Sequence, residues 1–304
     1  MYYPERGREL KYLAASTYNT VKKCVIPQGN GVLYIERTLL YVLFVKNKGI
    51  DDTMINSHIQ MPKCILSRFE ENNRFYYYDV EKKHIGKNGH AKSINTKRGY
   101  YSQAGEDYLR NNIETPIGEL LKEIDRFDFN QPNFEFTEEF INRVRRLFYS
   151  LISRSPSFQN EVDKYSDYFS LIHERDRHDY VACAGIELAE ERKILDAFTI
   201  TISMNTTTTP FILPTCGIYS FTINDDVFIL LPVSESLALT MVMNKSKDND
   251  NPQNNRVYYE FDDDSIIMQL NQKAFKQQID EGTGYVVSAD YEELNRAKCA
   301  NGIQ

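Results

Sequence analysis

Hydrophobic positions recur along this chain with two different periods, and the change between them divides it. Within 5–24, Leu10, Leu13, Thr17 and Val21 share one helical face while Arg6, Arg8, Lys11 and Lys22 lie largely off it, predicting an amphipathic packing helix. After the turn Gly29-Asn30-Gly31, residues 32–35 and 38–45 are rich in β-branched and aromatic side chains; strands are expected, with a buried helix as the alternative. Residues 74–80 read as an aromatic strand entered through Glu71-Asn72-Asn73. Helical spacing returns at 106–127, where Ile113, Ile117, Leu120, Leu121 and Ile124 recur on one face. It recurs at 137–152, where Thr137 offers an N-cap and Glu138 and Glu139 complement the helix dipole before Pro156 closes the segment. Residues 158–172 and 187–195 are expected to be further helices.

From 197 the pattern shortens. The runs 198–203, 210–213, 217–223, 227–231 and 237–243 are β-rich and separated by turn residues, which predicts an antiparallel sheet or meander. A helix at 266–279, a short strand at 285–288 and a last helical stretch at 290–296 follow. The fold class expected is therefore α+β, a helical middle region packed on an antiparallel sheet. Residues 1–52 form a small N-terminal addition, 53–296 the main domain and 297–304 a tail.

Composition narrows the function classes. With 304 residues and 41% hydrophobic positions the chain can bury a substantial core, and 21 Tyr and 17 Phe without any Trp supply most of its large apolar surface. A net charge of -7 repels phosphate on average, so contact with nucleic acid requires a local basic patch. The five cysteines are scattered with no Cys-x-x-Cys pair, which argues against structural zinc and a disulfide framework. The most apolar run, 32–45, is interrupted by Glu36-Arg37 and is shorter than the roughly 20 residues of a membrane helix; with no signal peptide read at the start, a cytoplasmic protein without membrane contact is expected. Walker, dinucleotide-binding and nucleophile-elbow motifs are missing, which disfavours nucleotide-driven motors, dehydrogenases and α/β-hydrolases.

The stretch around His58 and Pro62, running to Arg68 and Phe69, concentrates the candidate chemistry. An imidazole exchanges a proton near neutral pH, and Arg68 or Arg154 could hold a phosphate in a bidentate fork, so His58, Arg68, Glu114 and Arg154 form the expected catalytic set. The alternative reading makes the histidine and arginine structural, bonded to backbone carbonyls and pinning the Pro62 turn, with Glu114 and Arg154 as an ion pair between helices. Residues 81–98 are expected to be an exposed basic loop, whether merely solvated or anion-binding; Lys82, Lys83, Lys87, Lys92, Lys97 and Arg98 are its nucleic-acid-binding candidates. His173 and His178 diverge by about 140° on a helix, so zinc-hydrolase geometry fails and a solvated helix end is expected. The Asp/Asn stretches at 248–251 and 262–264 read as surface loops, and no metal site is expected. Cys64 and Cys216 have apolar neighbours and are expected to be inert thiols.

The order of motifs resembles a bacterial family of unknown function, family 4238, whose hallmark is a His-Tyr-Val-Pro-Gln segment leading to Leu-x-x-Phe. Here the corresponding residues are His58, Pro62, Leu66 and Phe69, with one residue more between His and Pro. Blocks at 75–79, at Gly99-Tyr100-Tyr101 with Glu114, at Arg154-Ser155-Pro156, at 209–212, at 230–234 and at 285–288 follow in the family's order. An acid common near position 215 in that family is replaced by Thr215. The resemblance implies a role in genetic conflict and carries no settled activity. Joined to the His and Arg set and the basic segment, it leads to the expectation of a cytoplasmic bacterial effector or accessory-defence protein, antiviral or toxin-like, acting on RNA or single-stranded nucleic acid as a metal-independent ribonuclease. The alternative is a non-catalytic module that binds a protein partner or senses a signal in a defence or toxin system. No cofactor is assigned.

Overall fold

The near-continuous apolar runs after position 197 fold as strands with both faces covered, as the computed structural model shows. It describes residues 56–128, 135–156, 158–159, 174–191, 193, 195–223, 226–243 and 258–303. The N-terminal addition, most of 158–172 and the loop at 248–251 lie outside the described residues. Strands β5 (Thr199–Asn205), β7 (Tyr219–Ile223), β8 (Asp226–Pro232), β9 (Leu237–Met243) and β10 (Tyr258–Phe261) form one sheet in the order β10-β5-β9-β8-β7. Its hairpins are antiparallel, as expected, while β10 joins β5 in parallel. Along β8, Val227, Ile229 and Leu231 enter one core and Leu230 enters a second, the period-two consequence of a strand between two apolar layers.

A second sheet, in the order β3-β2-β11-β6, is antiparallel throughout and unites β2 (Phe75–Asp79), β3 (His84–Gly89), β6 (Leu213–Pro214) and β11 (Tyr285–Ser288). Its β3 corrects the expected loop at 81–98, whose last residues form another strand, β4 (Thr96–Arg98), paired with β1 (Asn56–His58) in a two-stranded ribbon. Gly86 and Gly89 are required in β3, because a Cβ at either would collide with the rings of Tyr77 and Phe75 across the pair.

Helices cover both layers. Pro62, at φ -59°, opens the short α1 (Lys63–Leu66), which tightens into a 3₁₀ turn at Ser67–Phe69. The expected helix at 106–127 is found as α2 (Gln103–Leu109) and α3 (Thr115–Ile124), joined by a π-helical turn at Arg110–Glu114. Pro116 has no N–H for the Asn112 carbonyl, so the i→i−4 ladder breaks there and the turn widens. In α4 (Glu138–Ser153), Thr137 caps the start by accepting from the Phe140 N–H at 3.1 Å. Its Phe140, Val144, Leu147, Phe148 and Leu151 are buried, each contributing roughly 1.5–3 kcal/mol by leaving water. It packs on α5 (Glu174–Glu191), which ends short of the helix expected through 195. Helices α6 (Asp264–Glu281) and α7 (Tyr291–Ala300) flank β11. Among the described residues no helix is long and apolar enough to cross a membrane.

Candidate functional site

His58 ends β1, and the chain after it is held from α4. Arg154, the C-cap of that helix and only 1% exposed, donates from Nη2 to the His58 carbonyl at 2.5 Å and from Nε to the Ile59 carbonyl at 3.3 Å. The Tyr101 hydroxyl donates to the same Ile59 oxygen at 2.8 Å, and its ring centroid lies 5.6 Å from the guanidinium carbon. Nη1 of Arg154 is buried without a hydrogen-bond partner. Glu114, on the π turn and 31% exposed, brings Oε1 to 3.9 Å from Nη2, at the limit of an ion pair. Burial opposes the guanidinium charge, and Tyr101, Glu114 and Glu106 offset it.

The half-buried His58 ring places Nε2 at 2.7 Å from the Ala91 carbonyl. A carbonyl only accepts, so Nε2 carries the proton and Nδ1 the lone pair of the neutral ring. Desolvation lowers the His58 pKa, against the opposing pull of the Ala91 bond and Glu114, which leaves the imidazole neutral at pH 7. Glu106 on α2 moves the other way: burial raises its pKa, and Ser57 and Arg154 oppose the rise. An imidazole shifted down and a carboxyl shifted up around one buried guanidinium are a base and an acid with converging pKa values. Glu106 was missed by sequence reasoning, although it precedes Glu114 by two helical turns, the spacing of a shared face.

Three of the four expected catalytic residues, His58, Glu114 and Arg154, thus meet, and Arg68 does not join them. Its Nη1 and Nη2 grip Asp125 at 2.8 and 2.6 Å and its Nε donates to the Val233 carbonyl at 2.9 Å, so the fork proposed for phosphate is already filled. That bidentate contact holds the Asp125 carboxyl below its usual range. Arg68 instead borders a separate cleft of about 640 Å³.

The exposed cations of 81–98 sit on different features rather than one loop. Lys82 pairs with Asp79 at 2.9 Å, Lys83 holds φ +53° in the β2–β3 turn, Lys87 lies 5.3 Å from the Tyr291 ring centroid, and Lys92 lies in the turn between β3 and β4. Lys97 and Arg98 belong to β4, opposite Ser57 and Asn56. His178 corrects the solvated helix end: it is 9% exposed and stacks on Tyr100 with centroids 3.9 Å apart, while His173 lies outside the described residues. Asp263 caps α6 and Asp264 accepts from Thr209, so this acidic run serves the fold. Thr215, where the resemblance led to the expectation of an acid, is buried, donating to Gln278 at 3.3 Å and accepting from the Tyr285 N–H at 2.9 Å. Burial pushes the Cys64 thiol up to about 11, and Cys216 is fully buried with Sγ 3.9 Å from the Ile218 carbonyl. Among the described residues no group of three His, Cys, Asp or Glu side chains is placed to hold a metal ion. No family model, curated protein or solved structure matches the chain.

Proposed function

We propose that this chain is a bacterial effector or accessory-defence protein that cleaves RNA by acid–base chemistry without a metal, with His58 as the base. The observation that supports it is the state of that ring: neutral, oriented through Nε2 by the Ala91 carbonyl, with the Nδ1 lone pair left for a substrate proton. RNA brings its own nucleophile in the 2′-hydroxyl. His58 Nδ1 takes the 2′-hydroxyl proton, the 2′-oxygen bonds to phosphorus, and the bond to the 5′-oxygen breaks. Glu106, whose carboxyl burial shifts toward the protonated form, gives that oxygen a proton. The products are a 2′,3′-cyclic phosphate and a 5′-hydroxyl. Lys97 and Arg98, exposed on the strand beside His58, attract the flanking phosphates. Arg154 is a positioning residue, fixing the backbone that carries the base.

The test uses purified protein with RNA and DNA of equal sequence, and compares His58→Gln, whose amide can still donate toward Ala91 but cannot act as a base. Cleavage of RNA alone, cyclic-phosphate ends, and a loss of about 10²–10⁴-fold in the variant at unchanged Tm are expected. No cleavage by the wild type, or equal cleavage by His58→Gln, overturns the proposal.

A second reading, a non-catalytic protein-binding or sensor module, is favoured by one observation: Arg154 spends two of its three nitrogens on the His58 and Ile59 carbonyls. On that reading the hallmark is a structural knot, and its variants lose stability while the wild type lacks nuclease activity.

A further inference from the structure

An imidazole acts as a base only when one ring nitrogen is fixed as the donor and the other is left bare. At His58 that choice is made by the Ala91 carbonyl. We infer that Glu70 is the positioning residue that holds Ala91 in place to make it; the inference deepens the nuclease reading and rests on it. Glu70 follows the 3₁₀ turn in an extended conformation, φ -82° and ψ 120°, and its Oε1 accepts from the Ala91 N–H at 2.7 Å. The carbonyl of the same residue accepts from His58 Nε2 at 2.7 Å. Both polar backbone groups of Ala91 are therefore committed, one to Glu70 and one to the imidazole, and its methyl is buried in the core.

The turn that carries Ala91, residues 90–95, is closed on itself through the His90 carbonyl, which accepts from the Ser93 and Ile94 N–H groups at 3.0 Å. That closure fixes its shape, whereas its placement beside β1 comes from partners outside it. The Ile59 N–H donates to the Asn95 carbonyl at 2.9 Å at one end, and His90 Nδ1 donates to the Asn73 carbonyl at 2.7 Å at the other. Asn72 and Asn73 hold φ +51° and +62°, the tight reversal after Glu70 that presents that carbonyl. Glu70 acts between these ends, on the residue that touches the imidazole. Without its bond the Ala91 backbone is free to tilt while the ends of the turn stay in place. A tilted carbonyl no longer holds the Nε2 proton, the ring is free to turn or to carry its proton on Nδ1, and in that state Nδ1 cannot accept from a 2′-hydroxyl. The ring feels charge from Glu114, Arg154 and Lys63. What Glu70 contributes is reach, and its variants separate reach from charge.

Histidine-selective ¹⁵N labelling tests this on the full chain, with the His58 signal identified by its loss in His58→Gln, and RNA cleavage is measured on the same samples. Glu70→Gln keeps an acceptor oxygen at the same reach and carries no charge; Glu70→Asp keeps a carboxyl but is one methylene shorter; Glu70→Ala removes both. In Glu70→Asp and Glu70→Ala the Nε2 proton of His58 should exchange with water about tenfold faster or more. Their kcat on RNA should fall by about 10²-fold with KM little changed. Glu70→Gln should match the wild type in both measurements. Where Glu70→Ala fails to fold, the contrast between Glu70→Asp and Glu70→Gln decides. Equal exchange in Glu70→Asp and the wild type, a Glu70→Gln that behaves like Glu70→Asp, or an unchanged kcat in Glu70→Asp overturns the assignment. The spectra need no RNA, so they decide the role of Glu70 even where a wild type that cleaves nothing removes the nuclease reading.

Discussion

At the scale of single residues, Glu106 is where stability and chemistry pull in opposite directions. Its folded pKa is raised by burial, so the ionised form costs stability. That cost is absent below the unfolded carboxyl pKa of about 4.3 and is fully present once pH has risen past the folded value. Glu106→Gln should therefore raise Tm at pH 8, by an amount that shrinks toward zero as pH falls to 4, while cleavage of RNA is lost. Calorimetry across that range checks the first statement; a lower Tm at pH 8 would mean that the carboxylate's attraction to Arg154 outweighs its burial. Arg154 is the opposite case. Removing one side of a buried, hydrogen-bonded charge costs about 3–5 kcal/mol, and Arg154→Ala strands the His58 and Ile59 carbonyls, so urea unfolding should show a loss of that order. Both arginines were visible in the sequence as candidate forks, but only one reached the site. What separates them is the tertiary partner, Asp125 for Arg68 and backbone carbonyls for Arg154, and no local pattern encodes that choice.

At the scale of elements, the helices were legible because their signals are local. Thr137 is both the N-cap that composition suggests and the one the structure uses, and Thr137→Ala should cost about 1 kcal/mol in urea unfolding while Thr137→Asp costs little. A full-size effect in both variants would show that packing by the threonine methyl, and not the cap, sets the value. Strand β3 was illegible for an equally physical reason. Its glycines, which read as loop formers, leave room for the Tyr77 and Phe75 rings, and its one lysine, Lys87, sits on an exposed edge, so neither period nor propensity announces a strand. The π turn that carries Glu114 was hidden too, although Pro116 inside an apolar helical pattern is its visible cause.

At the scale of the whole molecule, the meander after position 197 was readable while the partition into separate sheets was not. The short β6 reads like the runs around it, yet it pairs with β11 and so with β2, across most of the chain length. That long-range pairing brings the Pro210 and Glu235 segments beside Arg68 and Asp290, and builds the cleft. Net charge is the other global quantity that local features must overcome. At -7 the protein repels RNA on average, so binding on the proposed reading rests on the few cations near His58, and it should be steeply sensitive to salt. Each phosphate contact on a single strand contributes about 0.7 to the slope of log K against log salt. If Lys97 and Arg98 each neutralise one phosphate, replacing both with Ala should lower the slope by about 1.4 and weaken binding of a non-cleaved 2′-O-methyl RNA at low salt. Fluorescence anisotropy between 50 and 300 mM salt reads the slope directly. An unchanged slope would place the phosphate contacts elsewhere on the molecule, and would detach the basic β4 strand from the chemistry assigned to His58.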